Sequence, residues 1–267
     1  MTHFLDQFDH GENSQYLFHY CKLDQRKFDS ILKSQIYLDD VRNFNDPYEL
    51  HYLHTADSDD WAEQAKDYCK ENDLPYDQDT FQKFIDRISS DPVERETAMI
   101  RMAENYSVCC FSRELLNPIM WAHYADNHKG ICLIYGFDLG IGEGNLVGIP
   151  DLDGKQISMF LDDVSYQDTF PVFSAKKDPN TEMKNRKILS TKGKVWEYEK
   201  EVRIVSKRRP GLVSIKEKSL KGICFGLRFP KLSIEMYVSF LQKRFSWLKF
   251  YQIEKEIKTY EIKVFQL

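Results

Sequence analysis

Residues 16–21, Tyr-Leu-Phe-His-Tyr-Cys, have the aromatic composition of a short β-strand. Asp24 stands where a helix cap is needed, and Phe28, Ile31 and Leu32 then fall at the i, i+3, i+4 spacing of one helix face. Residues 36–38 read as a second strand. The stretch Asn43-Phe44-Asn45-Asp46-Pro47-Tyr48-Glu49 predicts a turn. Asn and Asp side chains bond their own backbone, and the residue before a proline is pushed out of the helical region. From about 56 to 106 the period becomes helical. Trp61, Ala65, Tyr68 and Cys69 share one face, then Phe81, Phe84, Ile85 and Ile88, then Met99, Met102, Ala103 and Tyr106. Leu74-Pro75 and Asp91-Pro92 break the run. Three short helices alone make a thin core, so this stretch reads as a helical insertion in a sheet, not an independent domain.

Residues 108–112 return to strand. Asn117-Pro118 predicts a helix start, a cap followed by proline at the first helical position, with the helix running to 127 and stopping near Gly130. Residues 131–137 are continuously apolar and predict a central strand. The five glycines between 138 and 154 lack the spacing of a phosphate loop and read as a surface loop. A short strand at 164–166 precedes a loop at 167–180. Strands around 212–215 and 222–226 follow, then a helix over 232–244 carrying Ile234, Val238 and Leu241 on one side, then strands at 248–253 and 258–265. The order predicts a single α+β domain over 1–267 with a mixed sheet.

Residues 194–205, Lys-Val-Trp-Glu-Tyr-Glu-Lys-Glu-Val-Arg-Ile-Val, read as one strand. A period of two then puts Glu197, Glu199, Glu201 and Arg203 on one face. Like charges side by side on a strand cost stability, so the pattern has two readings. Either a Glu-x-Glu pair is offered to a ligand, or this is a solvated edge strand whose acids are paired by Lys194, Lys200 and Arg203.

The net charge of −5 is uneven. Residues 180–221 hold nine Lys and four Arg against five Glu, a balance of +8, which leaves −13 for the rest. A basic segment around carboxylates points to an anionic partner, or else to a solvated lysine-rich face. The six cysteines form no C-x-x-C and suggest neither a disulfide framework nor a zinc site. His123 and His128 lie five apart, on different sides of a helix, which is poor spacing for a metal. Cys109 and Cys110 sit in an apolar strand, where thiols are inert packing. The polar, acidic opening and the lack of a long apolar run predict a cytoplasmic protein with no membrane partner. Trp121 and Tyr124, at i and i+3, can present two rings to a ligand or to the core, and His19 in an aromatic strand reads by itself as a hydrogen-bonded core residue.

Taken together, F-H-Y-C, S-I-L-K-S, N-F-N-D-P-Y-E, C-F-S, M-W-A-H-Y with H-K-G, and W-x-Y-E-K-E-V-R resemble a bacterial domain family of unknown function, from about Leu17 to Val264. That layout in turn resembles ADP-ribosyltransferases, particularly DarT-like toxins that modify nucleic acids and the RNA-targeting toxins of antiphage systems. The resemblance implies a split mixed or antiparallel sheet with NAD as substrate and no metal. It implies Glu201 as the catalytic carboxylate, with Glu199 completing the pair. It places His19, Ser112 and Arg113 around NAD; beside them the rings of Tyr20, Trp121 and Tyr124 can stack on nicotinamide, Asn45 joins the cofactor set, and the basic Lys192, Arg203, Arg208 and Arg209 suit pyrophosphate or an acceptor nucleic acid. A toxin or defence role, with an antitoxin or chaperone as a further partner, follows from the same likeness. Two departures stand out: Tyr20-Cys21 where Gly-Thr is frequent, and no clean Ser-Thr-Ser in the second motif. A non-catalytic nucleotide- or protein-binding module and a nuclease are the rival readings.

Overall fold

Alternation along β1 (Ser14–Cys21) sends Leu17 and Cys21 to one side of a sheet and Phe18 and Tyr20 to the other. This computed structural model describes residues 14–54, 66, 70, 75–79, 104–138, 159–173 and 181–267. The expected insertion over 56–106 and the glycine-rich stretch over 138–154 lie almost wholly outside the described residues.

After β1 come α1 (Gln25–Leu32), β2 (Gln35–Leu38), β3 (Leu53–His54), β4 (Ser107–Ser112), α2 (Pro118–Tyr124) and β5 (Ile131–Asp138). Then follow β6 (Met159–Asp163), β7 (Ser165–Gln167), β8 (Val172–Phe173), α3 (Thr181–Leu189), β9 (Thr191–Gly193) and β10 (Glu201–Ser206). The chain closes with β11 (Gly211–Ser214), β12 (Leu220–Phe225), α4 (Lys231–Arg244), β13 (Lys249–Lys255) and β14 (Ile262–Gln266).

The fold is mixed α/β around a large sheet of order β14-β13-β12-β5-β1-β4-β10-β6. Neighbours are antiparallel except β12 and β13, which α4 joins as a crossover. β5 is apolar from Ile131 to Phe137 because both its faces are covered. Ile131, Leu133 and Tyr135 join Ile31 of α1 and Ile234 and Leu241 of α4. On the other face, Cys132 and Ile134 pack with Met120 and Trp121 of α2.

One junction positions everything that follows. β1 pairs with β5 over its whole length, and β4 with β10 over its whole length. β1 and β4 are in register at one position only, Phe18 with Ser112. The large sheet is therefore two half-sheets meeting at a point.

The expected caps are present. Asp24 accepts from Lys27 N at 2.9 Å, and Asn117 Oδ1 accepts from Ile119 N at 3.0 Å. Two expectations need correction, and one helix had no expectation against it. The helix begun by Pro118 ends at Tyr124, because Asp126, Asn127 and His128 turn left-handed, with φ of 47°, 53° and 67°. Gly130 is required behind that turn, since a Cβ there would lie 2.4 Å from Cys21 O. Helix α3 was not expected: its sequence is mostly polar, and its buried residues Ile188 and Leu189 are bunched at its end. Residues 194–199 are not strand. They form a 3-10 turn, and β10 begins only at Glu201.

Candidate functional site

Lys200 separates that 3-10 turn from β10 with a left-handed backbone, φ 44° and ψ 50°. The chain therefore swings round between Glu199 and Glu201. Glu197 is left in solvent, paired with Lys200 at 3.5 Å, while Glu199 and Glu201 turn inward together. The two-residue alternation expected across 194–205 fails here, although its pairing of Glu199 with Glu201 survives by a different route. Two bonds pin the turn: Asn117 Nδ2 donates to Tyr198 O at 2.7 Å, and Ser112 Oγ donates to Glu199 O at 2.6 Å. Ser112 also accepts from Glu114 N at 3.0 Å.

A cavity of about 280 Å3 opens where the two half-sheets part. β1 contributes Phe18, His19 and Tyr20; β4 contributes Cys110, Phe111 and Ser112. Asn43, Phe44 and Asn45 close one side, Met120 and Tyr124 of α2 another, and Lys192, Glu199 and Glu201 supply the charge.

Lys192 is buried between the two carboxylates. Its Nζ lies 2.6 Å from Glu199 Oε2 and 3.3 Å from Glu201 Oε2. Burial would discharge this amine, but the Glu201 and Glu199 charges outweigh it and raise its pKa. Arg203, fully buried, donates Nε to Glu201 Oε1 at 2.9 Å and Nη2 to Glu201 Oε2 at 3.1 Å. The far side of its guanidinium bonds Glu49 and the Leu189 carbonyl. Three carboxylates thus share two cations, and the environments of Glu199 and Glu201 pull apart. Burial would raise Glu201, but Arg203 and Lys192 overcome it and hold the carboxyl down at about 2. Glu199 is raised by burial, only partly opposed by Lys192 and by the Tyr124 hydroxyl that donates to its Oε1. Asn45 Nδ2 donates to the same hydroxyl at 2.9 Å. Two adjacent carboxylates pushed in opposite directions suit a fixed anion and a proton carrier.

His19 bridges the open junction. Its Nδ1 lies 2.9 Å from Cys110 O, and its Nε2 lies 3.1 Å from Lys27 Nζ. A carbonyl only accepts and an ammonium only donates, so the ring is neutral with its proton on Nδ1. Burial and the Lys27 charge lower its pKa to about 3. Its body lines the cavity, but both ring nitrogens are engaged by protein.

Other expected ligand contacts fall elsewhere. Trp121 is fully buried, its indole donating to Leu115 O at 2.8 Å and its ring centre 5.2 Å from that of Tyr20, nearly perpendicular to it, so it is core. Tyr20 keeps a ring at the cavity while its hydroxyl donates to Glu114 O at 2.6 Å. Arg113 leaves the end of β4 toward Asp163 at 2.6 Å and does not line the cavity. Lys192 and Arg203, read from sequence as nucleic-acid contacts, are buried, and their charge is spent on Glu49, Glu199 and Glu201; they cannot reach a phosphate backbone. Arg208 and Arg209 line a separate open groove with Arg42, Lys207 and Glu104.

Sequence reading passed over Glu49, Phe44 and Tyr166. Glu49 lay in the N-D-P-Y-E motif but was not assigned to Arg203. Tyr166 OH accepts the Glu201 amide at 2.7 Å and has no local signature. Among the described residues no cluster of His, Cys, Asp or Glu could hold a metal ion, and no helix is long and apolar enough to cross a membrane.

Residues 120–204 match a family described as a protein of unknown function, DUF2971. The match runs from α2 to β10 and so includes Tyr124, Lys192, Glu199, Glu201 and Arg203; it is shorter than the resemblance over 17–264 and carries no activity with it. No curated protein and no solved structure matches the chain.

Proposed function

We propose that the protein is an NAD-dependent ADP-ribosyltransferase whose catalytic centre is the cavity holding Glu199 and Glu201. One observation carries the reading: His19, Ser112, Tyr124, Glu199 and Glu201, from well-separated stretches of chain, line the same cavity. Its volume of about 280 Å3 is at the lower limit of the ~300–1,000 Å3 usual for ligand sites, which suits a nicotinamide ribose rather than a whole dinucleotide. In the proposed step the nicotinamide–ribose bond breaks and its electron pair leaves on neutral nicotinamide. The positive charge developing on the ribose faces Glu201, which Arg203 and Lys192 keep ionised. The acceptor then bonds to the ribose carbon and its proton passes to Glu199, whose raised pKa suits it to that role. Phe44 and Tyr124 bring aromatic rings to the cavity wall, where a nicotinamide can pack.

The acceptor in this reading is a nucleic acid. The exposed Arg209 and Lys207, with Arg208, offer cations to a phosphate backbone, in place of the buried Lys192 and Arg203. Incubation with labelled NAD together with total RNA, DNA and protein tests both points. Label on nucleic acid is expected. Label on protein alone removes the acceptor assignment, and no label at all removes the transferase.

One observation favours the rival reading of a non-catalytic binding module. Both oxygens of Glu201 are already bonded to cations, as in a structural ion pair. That module binds nucleotide without consuming it, and Glu201→Gln then lowers stability alone.

A further inference from the structure

A second cavity, of about 500 Å3, lies against the first, and Lys192 lines both. Three non-strand segments supply its rings, beside Leu53 of β3 and the residues of β9. Tyr48 and His51 belong to the segment after Asp46, Phe170 to the segment before β8, and Trp196 to the 3-10 turn that carries Glu199. The His51 ring sits 5.2 Å from Phe170 and 5.7 Å from Tyr48, so the three make a continuous aromatic wall. Tyr48 is 63% exposed and Phe170 38%, although rings of this size are normally covered. Trp196 stands under the Lys192 ammonium, whose Nζ is 4.7 Å from the ring centre. The rim is polar, with Lys194 and Asp168 facing each other at 3.8 Å.

We infer that this second cavity is a nucleobase subsite, stacking a planar heterocycle against the Tyr48–His51–Phe170 wall and Trp196. The inference rests on the transferase reading for what is bound next door. Three features favour a nucleobase over an aliphatic ligand. The walls are rings, which stack any base regardless of sequence. The rim is polar, which suits a base edge and a sugar. The first cavity is too small for a complete dinucleotide, and an adjacent volume sharing a wall with it is where a second base would go. The base can come from the dinucleotide's own adenine or from an acceptor strand. Lys192 is the physical link: it bonds Glu199 and Glu201 on one side and meets Trp196 on the other.

Calorimetric titration of the full chain with adenosine monophosphate, and separately with a short single-stranded oligoadenylate, tests the inference. The double variant Tyr48→Ala/Phe170→Ala removes one wall at exposed positions, and Trp196→Leu removes the other. Thermal midpoints of both variants establish that they are folded. Removing a stacking ring should weaken binding roughly 5- to 150-fold. If the oligonucleotide binds more tightly than the mononucleotide, and the variants lose it with KM for NAD unchanged, the base comes from an acceptor. If the mononucleotide is weakened and KM for NAD rises in parallel, it is the dinucleotide's own adenine. Neither probe binding the wild type, or both binding wild type and variants equally, overturns the subsite. Wild type that binds the probes but releases no nicotinamide leaves the subsite standing and removes the transferase instead.

Discussion

Glu201 and His19 each have a pH signature set by their surroundings. Glu201 falls from its ordinary 4.5 to about 2, so its pairing with Arg203 and Lys192 contributes fully above pH 4.5 and is lost as pH falls toward 2. The shift corresponds to on the order of 3 kcal/mol. Glu201→Gln should therefore be less stable than wild type by about that amount at neutral pH, with the deficit shrinking between pH 4.5 and 2. Urea unfolding at several pH values measures this, and a deficit that persists unchanged at pH 2 contradicts it. His19 is also depressed, to about 3, so its contribution is complete above 6.5 and is lost as pH falls through that range. Imidazole NMR should show a neutral ring with the proton on Nδ1 and no titration between pH 5 and 8; a midpoint near 6.5 would mean that the ring is not buried beside Lys27. Sequence could nominate these residues, since a carboxylate pair and a histidine in an aromatic strand are visible in one dimension. Their partners were not legible: Lys192, Glu49 and Tyr166 reach Glu201 or Arg203 only through the fold.

At the scale of elements, the 3-10 turn over 194–199 shows what pattern reading misses. Tyr198, Val202 and Ile204 suit a strand, and a period of two fits the run throughout. The actual break is at Lys200, a residue type with no turn signature, held left-handed at φ 44° while Lys200 N bonds Glu197 O at 3.3 Å. Glycine adopts that backbone freely, whereas a β-branched residue does not. Lys200→Gly should then be tolerated to within about 1 kcal/mol, and Lys200→Val should cost about 1–2 kcal/mol more and misplace both carboxylates. Thermal denaturation with dinucleotide turnover reads both effects, and equal behaviour of the two variants contradicts the turn's role. Where local signals are strong the sequence was sufficient. Asp24 and Asn117-Pro118 marked helix starts, and the apolar run at 131–137 marked the strand covered on both faces. Helix α3 has no clear sequence signal, because only Ile188 and Leu189 at its end are buried and no apolar stripe runs along it.

At the scale of the whole molecule, two half-sheets joined at Phe18 and Ser112 leave a gap that neither ladder fills. His19 spans it with a side-chain bond, and the cavity forms beside that bridge with Glu199 and Glu201 at its wall. A closed eight-stranded sheet would have no such opening. The same architecture explains why an early histidine and a late carboxylate pair share a site: β1 and β4 part there, and β10 runs beside β4 with Glu201 in register with Ser112. On the proposed function, this opening holds a catalytic carboxylate pair. The most direct test is nicotinamide release from NAD, measured side by side for wild type, Glu201→Gln and Glu199→Gln, each confirmed folded at the assay temperature. Release by wild type, with a loss of about 10²–10³-fold in Glu201→Gln and a smaller, pH-dependent loss in Glu199→Gln, is the predicted result. No release by folded wild type, or undiminished release by Glu201→Gln, would contradict it.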